Sequence, residues 1–320
     1  MGTAQIIAII GAGLMGQGIA SQFAIHGFEV RLNDLTDDVL ERALNGVMAN
    51  LNILVDVGLI DKSELTQAFN RIKISDSLED SVYNADLIVE AISENLELKK
   101  QLFNEMGAHV SKTALISSNT SSFMPSQLSD SVSYPECFLV ANWWNPPYLL
   151  PLVEVVPGAI TSANTTKTIC NILENAGKLP IILKKESKGF IGNRLQLALL
   201  REAISIVENG VASAKDIDTV VTNSFGRRLA IAGPFEVFDI AGWDTISAII
   251  GQLYPDLESK SGHPKLINNM LTEGKLGIKS GKGFYGWSDD SIKSRRQKIG
   301  EALAAIDRLS KHNIENHIKD

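Results

Sequence analysis

Ile6-Ile-Ala-Ile-Ile-Gly-Ala-Gly-Leu-Met-Gly16, with Phe28-Glu-Val-Arg-Leu-Asn-Asp34 shortly after it, is the stretch that decides the fold. An Ile-rich apolar run ends in three spaced glycines. A helical pattern follows, with Leu14, Ile19, Phe23 and Ala24 on one side, and closes at His26-Gly27. A second strand, Phe28 to Leu32, then leads to an acid, Asp34. Strand, glycines, helix, strand and acid in that order form a dinucleotide-binding βαβ unit. Gly11 suits the tight turn, Gly13 the close approach of a pyrophosphate, and Gly16 the packing of helix on strand. Leu14 and Met15 open a helix whose unpaired amides and positive dipole end face that pyrophosphate. Asp34 accepts hydrogen bonds from ribose hydroxyls and repels a 2′-phosphate, so the expected cofactor is NAD rather than NADP. Arg31 is near, but it lies within the strand.

Further apolar runs alternate with helical stretches. Strands are expected at Ile72 to Ile74, Ala85 to Ala91, Ala114 to Ser118, Phe138 to Ala141, Leu152 to Val156 and Leu179 to Leu183. Helices are expected at Thr36 to Gly58, Leu96 to His109 and Ala163 to Ala176. This alternation predicts an α/β fold, an N-terminal doubly wound Rossmann-type sheet over 1–185. Ligands in such sheets gather beyond the carboxyl ends of strands. Here those ends carry Ser93-Glu94-Asn95, Ser118-Asn-Thr-Ser121 and Asn142-Trp-Trp-Asn-Pro146. After Lys185 the texture changes. A long amphipathic helix, with Leu195, Leu199, Ile204 and Val207 along one side, starts an all-α domain over 186–320. An apolar-rich bundle of this kind favours a homodimer.

The chain has 320 residues, a formal charge of −7 and a sequence pI of about 5.4, which argues against nucleic acid as a partner. The basic run Lys293 to Lys298 reads as a solvated helix face. No apolar run approaches the roughly 20 residues of a membrane span. The start lacks a secretory signal, and Ile6 stands where a Gly2 myristoylation motif wants Ser or Thr. Cys137 and Cys170 match no metal or redox spacing, so no metal is expected. Both read as reduced and buried, as in the cytoplasm.

Longer motifs carry a resemblance. GAGLMG, ADLIVEAISENLELKKQLF (Ala85 to Phe103), SSNTSS, WNPPYLLPLVEVV, KGFIGNRL, GPFEVFDIAGWD (Gly233 to Asp244) and KLGIKSGKGFYGW (Lys275 to Trp287) occur in order. Together they resemble the 3-hydroxyacyl-CoA dehydrogenase family over nearly the whole chain. That resemblance implies cofactor contacts from Ala91, Glu94, Lys99 and Asn119. It also implies that Ser121 and Asn193 bond the substrate oxygen, and that Glu154 orients a catalytic His. In this chain Asn142 occupies that His position.

The substitution bears directly on the chemistry. Oxidising a secondary alcohol needs a base for the hydroxyl proton as hydride leaves carbon, and imidazole suits this near neutral pH. A buried carboxylate would fix its tautomer, and donors from Ser121 and Asn193 would stabilise the developing alkoxide. Asn142 can donate to Glu154 and bond a substrate oxygen, but it accepts no proton at neutral pH. His26, His109, His263, His312 and His317 lie at helix ends, in a loop or in the tail, away from the motifs. Lys188, five residues before Asn193, has a spacing one off that of the β-hydroxyacid dehydrogenase lysine. Asn142 is either an introduced change in a competent enzyme or a natural loss of activity; the completeness of the rest of the site favours the first.

Two substrate classes remain. A CoA thioester needs cations for its phosphates, yet the expected helical arm Asn52 to Ala68 holds one Lys against three acids. The PPYLLPLVEVVPG run and Phe225 to Pro234 resemble the λ-crystallin/L-gulonate dehydrogenase and carnitine dehydrogenase branch, which uses small hydroxy acids. Arg228 could clamp a carboxylate there, or form a surface ion pair. Trp143 and Trp144 read as wall and core rather than a cation cage. The competing class is a non-catalytic NAD-binding or structural protein.

Overall fold

The computed structural model describes residues 5–317, with side-chain burial described to residue 309. The chain start, Gly2 included, and the side chains of His312 and His317 lie outside the described residues. Contacts divide the chain into two compact units, the first ending at Asn193 and the second beginning at Arg194.

The first unit holds β1 (Ile6–Ile10), α1 (Leu14–Ile25), β2 (Glu29–Asn33), α2 (Asp37–Asp56), α3 (Lys62–Asn70), β3 (Ile72–Ser75), α4 (Leu78–Val82) and β4 (Leu87–Glu90). It continues with α5 (Leu96–Met106), β5 (Leu115–Ser118), α6 (Pro125–Leu128), β6 (Phe138–Trp143), β7 (Leu152–Pro157), α7 (Ala163–Asn175) and β8 (Leu179–Ile182). The first two residues of α8 (Gly192–Glu208) close it. The strands form one sheet of order β3-β2-β1-β4-β5-β6-β7-β8. Every pairing is parallel except β6 with β7. The order reverses between β1 and β4, which opens the ligand crevice of a doubly wound sheet there.

Strand alternation assigns each side chain to one of two cores. Ile7 and Ile9 join the core that also contains Phe23, Leu40, Val47 and Trp143. Ala8 and Ile10 join the opposite core with Phe103, Phe138 and Phe190. In β6, Leu139, Ala141 and Trp143 face the first core while Phe138 and Val140 face the second. Asn142 therefore shares the second face.

Three local readings are corrected. Leu14 does not join Ile19 and Phe23 in the core. It is 61% exposed, at the first position of α1. The arm from Asn52 to Ala68 is not one helix. Gly58, at φ 69°, ends α2, and Asp61 starts α3 with a reciprocal capping box to Glu64. Cys137 is only partly buried, whereas Cys170 is buried, and both thiols are free.

The unit boundary at Asn193 lies later than the change of texture after Lys185. Phe190 is 1% exposed in the second core, and Ile191 and Gly192 are tied to β7. Chain texture does not register such ties.

The second unit is helical: the rest of α8, then α9 (Ala214–Asn223), α10 (Phe225–Leu229), α11 (Pro234–Ala241), α12 (Trp243–Leu253), α13 (Lys265–Thr272) and α14 (Asp289–His317). On α8, Ile204 is buried, but Leu195 is 62% and Leu199 46% exposed. The apolar side read for this helix is thus covered only at its far end.

Candidate active site

The cofactor half begins at the β1–α1 turn. Gly11, at φ 108°, donates its N–H to Asn33 O, and a Cβ there would lie 2.6 Å from the Ala91 carbonyl. A Cβ on Gly16 would fall 1.8 Å from Gly11 O. Only glycine fits either position. Gly13 differs: nothing lies within 4 Å of a Cβ built on it. The first turn of α1 carries no side-chain cap and no acid. Its amides are open to an anion, as a pyrophosphate requires.

Asp34 bridges the turn. Its Oδ2 accepts from Ala12 N at 2.7 Å and its Oδ1 from Leu35 N at 2.8 Å. A cavity of 590 Å³ opens beside it, lined by Gly11, Gly13, Asp34, Ala91 and Ile92 among others. These residues fit NAD: bare amides for the diphosphate, a carboxylate for the ribose, and apolar walls for the adenine. Arg31 plays no part, because its guanidinium binds the carbonyls of Asp80, Ser81 and Tyr83 at the end of α4.

The reaction half is a continuous chain of polar contacts. β6 and β7 run antiparallel with Asn142 opposite Glu154. Asn142 Nδ2 donates to Glu154 Oε2 at 2.9 Å, and both side chains are buried. Glu154 Oε1 accepts from the backbone N–H of Ile191 at 2.8 Å and of Gly192 at 3.0 Å. Three donors thus converge on the buried carboxylate. Next along the chain, Asn193 Nδ2 donates to Ser121 O at 3.2 Å. Ser121 N in turn donates to Glu94 Oε1 at 3.2 Å.

Glu94 gathers this loop. Its Oε1 also accepts from Thr120 Oγ1 at 2.5 Å, Ser122 Oγ at 2.6 Å and Ser122 N at 3.1 Å. Burial alone would raise the Glu94 carboxyl, but the Ser122 and Thr120 hydroxyls and the Lys99 charge outweigh it. The group is held below the usual carboxylate range. Lys99 does not line an open surface. It is 1% exposed, with Nζ 2.6 Å from Glu90 Oε1 and 3.4 Å from Glu94 Oε2. Glu90, wholly buried, also accepts from Ile92 N and Ser118 Oγ.

Asn119 Oδ1 accepts from Trp143 N at 2.9 Å and so fixes the strand carrying Asn142. Trp143 itself packs edge-on against Phe23 with Lys178 over its ring, and is a core residue. Trp144 lies against Gly192, where a Cβ would meet the indole at 2.2 Å. Neither forms a cage. Arg228 belongs to the second unit, exposed in the last turn of α10.

Sequence reasoning missed Glu90, Thr120 and Ser122. It also missed Asp76, Gln101 and Glu105 on the cavity wall. Glu90 did leave a signal: a carboxylate ends an otherwise apolar strand, Leu-Ile-Val-Glu.

Known proteins resemble this chain in sequence and fold. The NAD binding domain of 3-hydroxyacyl-CoA dehydrogenase matches residues 6–187, and the C-terminal domain of the same family matches residues 189–287. A 5-formyl-3-hydroxy-2-methylpyridine 4-carboxylate 5-dehydrogenase of Mesorhizobium japonicum is 31% identical over 95% of this chain and 97% of its own. The L-carnitine dehydrogenase of Staphylococcus epidermidis is 34% identical over 83% of this chain and 81% of its own. A crystal structure of a 5-formyl-3-hydroxy-2-methylpyridine 4-carboxylic acid 5-dehydrogenase, described as an NAD+-dependent dismutase, superposes with a TM-score of 0.89. It is 31% identical, covering 96% of this chain and 98% of that one. A glycine turn built for NAD, an Asn–Glu pair where a base is expected, and two consecutive domain matches agree: this chain belongs to the 3-hydroxyacyl-CoA dehydrogenase family.

Proposed function

We propose that this NAD-dependent dehydrogenase acts on the 3-hydroxyl of a small free hydroxy acid, and that Asn142 slows its proton transfer. NAD, when bound, supplies the hydride acceptor. In this reading Ser121 and Asn193 hold the substrate oxygen. Asn142 orients the oxygen by hydrogen bonding without removing its proton. Loss of general base help costs about 10²–10⁴ in rate.

The observation that carries the substrate class is the surface of α2 and α3. Between Asp37 and Asn70 the exposed charges are six acids, Asp37, Asp38, Glu41, Asp56, Asp61 and Glu64, against two cations, Arg42 and Lys62. An acidic arm repels the phosphates of CoA. The similarity to dehydrogenases named for small carboxylates supports the same side. A 3-hydroxyacyl-CoA, the thioester in the family's own name, is the second reading.

The test is Asn142→His assayed by NADH absorbance with 3-hydroxybutyrate, carnitine and 3-hydroxybutyryl-CoA. A gain of about 10²–10⁴ confined to free acids is expected. Preference for the thioester would reverse the substrate class. No gain with any compound would favour a non-catalytic NAD-binding protein.

A homodimer accompanies this reading. Phe235 is 77%, Ile240 81% and Ile231 61% exposed in the second unit, more apolar surface than a helical unit leaves in water. No helix among the described residues is long and apolar enough to cross a membrane. A cytoplasmic location is part of the same proposal, supported by the free thiols.

A further inference from the structure

Asp34 is not the only acid on the cofactor cavity. Asp76 and Glu105 line it too, and no Lys, Arg or His does. Asn33 Nδ2 donates to Ser75 O at 2.8 Å, which ties the end of β3 to the end of β2 and holds Asp76 on the wall that carries Asp34. Glu105 stands on α5, where Leu98, Gln101, Leu102 and Glu105 all reach the cavity. That spacing of i, i+3, i+4 and i+7 is one helix face. Neither the Asp76 nor the Glu105 carboxylate has a hydrogen bond or ion pair among the described residues. Arg31, three residues before Asp34, is held by three carbonyls of the α4 region.

We infer that Asp76 and Glu105 are specificity-determining residues that reject the 2′-phosphate of NADP together with Asp34. The division of labour follows from the chemistry. Asp34 discriminates by contact, since its carboxylate bonds ribose hydroxyls that a 2′-phosphate replaces. Asp76 and Glu105 act through space as uncompensated negative charge, so their share is screened by salt. The inference concerns the cofactor cavity alone and holds for either substrate class.

The test needs no turnover. NADH and NADPH dissociation constants are measured by the fluorescence of the reduced nicotinamide for the unaltered chain, Asp34→Ala, Asp76→Asn, Glu105→Gln and the Asp76→Asn/Glu105→Gln pair. At about 20 mM salt the pair should lower the NADPH-to-NADH ratio of dissociation constants roughly fivefold, and the gain should fade above about 0.5 M. Asp34→Ala should leave NADPH the weaker ligand. Equal affinities in Asp34→Ala would overturn the inference. So would a double variant that shifts both ligands by one factor, or a ratio indifferent to salt. Failure of the unaltered chain to bind NADH would instead overturn the cofactor assignment itself.

Discussion

Asn142 and Glu154 face each other across the single antiparallel pairing of the sheet, joined by a 2.9 Å hydrogen bond from carboxamide to carboxylate. A His at 142 would meet the same acceptor. Asn142→His should therefore bring a new ionisation into the rate of alcohol oxidation. The neutral imidazole is the active form, so kcat/KM should rise with pH through an inflection near or above about 6.5. The unaltered chain should show no such inflection. An identical pH profile in both proteins would show that the proton leaves by another route.

The buried Lys99–Glu90 pair is the costliest contact to break. Glu90→Ala should destabilise the fold by about 3–5 kcal/mol in urea unfolding, since it takes from a buried ammonium its closer acid and leaves only Glu94 at 3.4 Å. Glu90→Leu combined with Lys99→Met should recover much of this. Ser118 and Ile92 still lose an acceptor, so recovery should be incomplete.

Glu94 links stability to acid. Its carboxyl is held below the ordinary 4.5 in the folded chain, so its contribution is fully present above that value. It is lost as pH falls through the lower folded value. Glu94→Gln should be less stable than the unaltered chain at pH 7, with the gap closing below about pH 4. A gap that widens in acid would contradict the assignment.

Two glycines of one turn should respond in opposite ways. Gly16→Ala drives a Cβ into Gly11 O and should lower the melting temperature sharply. Gly13→Ala meets no atom of the protein, and should cost about 1 kcal/mol or less in stability. Its NADH affinity should nevertheless drop, by roughly tenfold.

Light scattering should give a mass near twice 34.7 kDa. Ile240→Glu, at a position 81% exposed, should shift that value toward the monomer. A monomer at every concentration would remove the dimer proposal.

The legible parts of this molecule are the local ones. The glycine turn and Asp34 follow from short-range pattern, whereas the pairing of Asn142 with Glu154 was implied by the family resemblance and its register is given by the sheet. Glu90 and the Thr120–Ser122 loop were not legible. Their meaning comes from contacts 26 to 28 residues away in sequence, such as Ser118 on Glu90 and Ser122 on Glu94. Leu14 was misread because a helix-face pattern does not say which turns of the helix the core covers.

Glu154 has a second occupation. Its other oxygen clasps the backbone where the long α8 begins, so the acid would be retained even in a lineage with no use for a base. Histidine and asparagine codons differ by a single nucleotide. A descendant could thus fall silent in one step while Glu154 is kept for its hold on the backbone, and its presence is no testimony to recent activity.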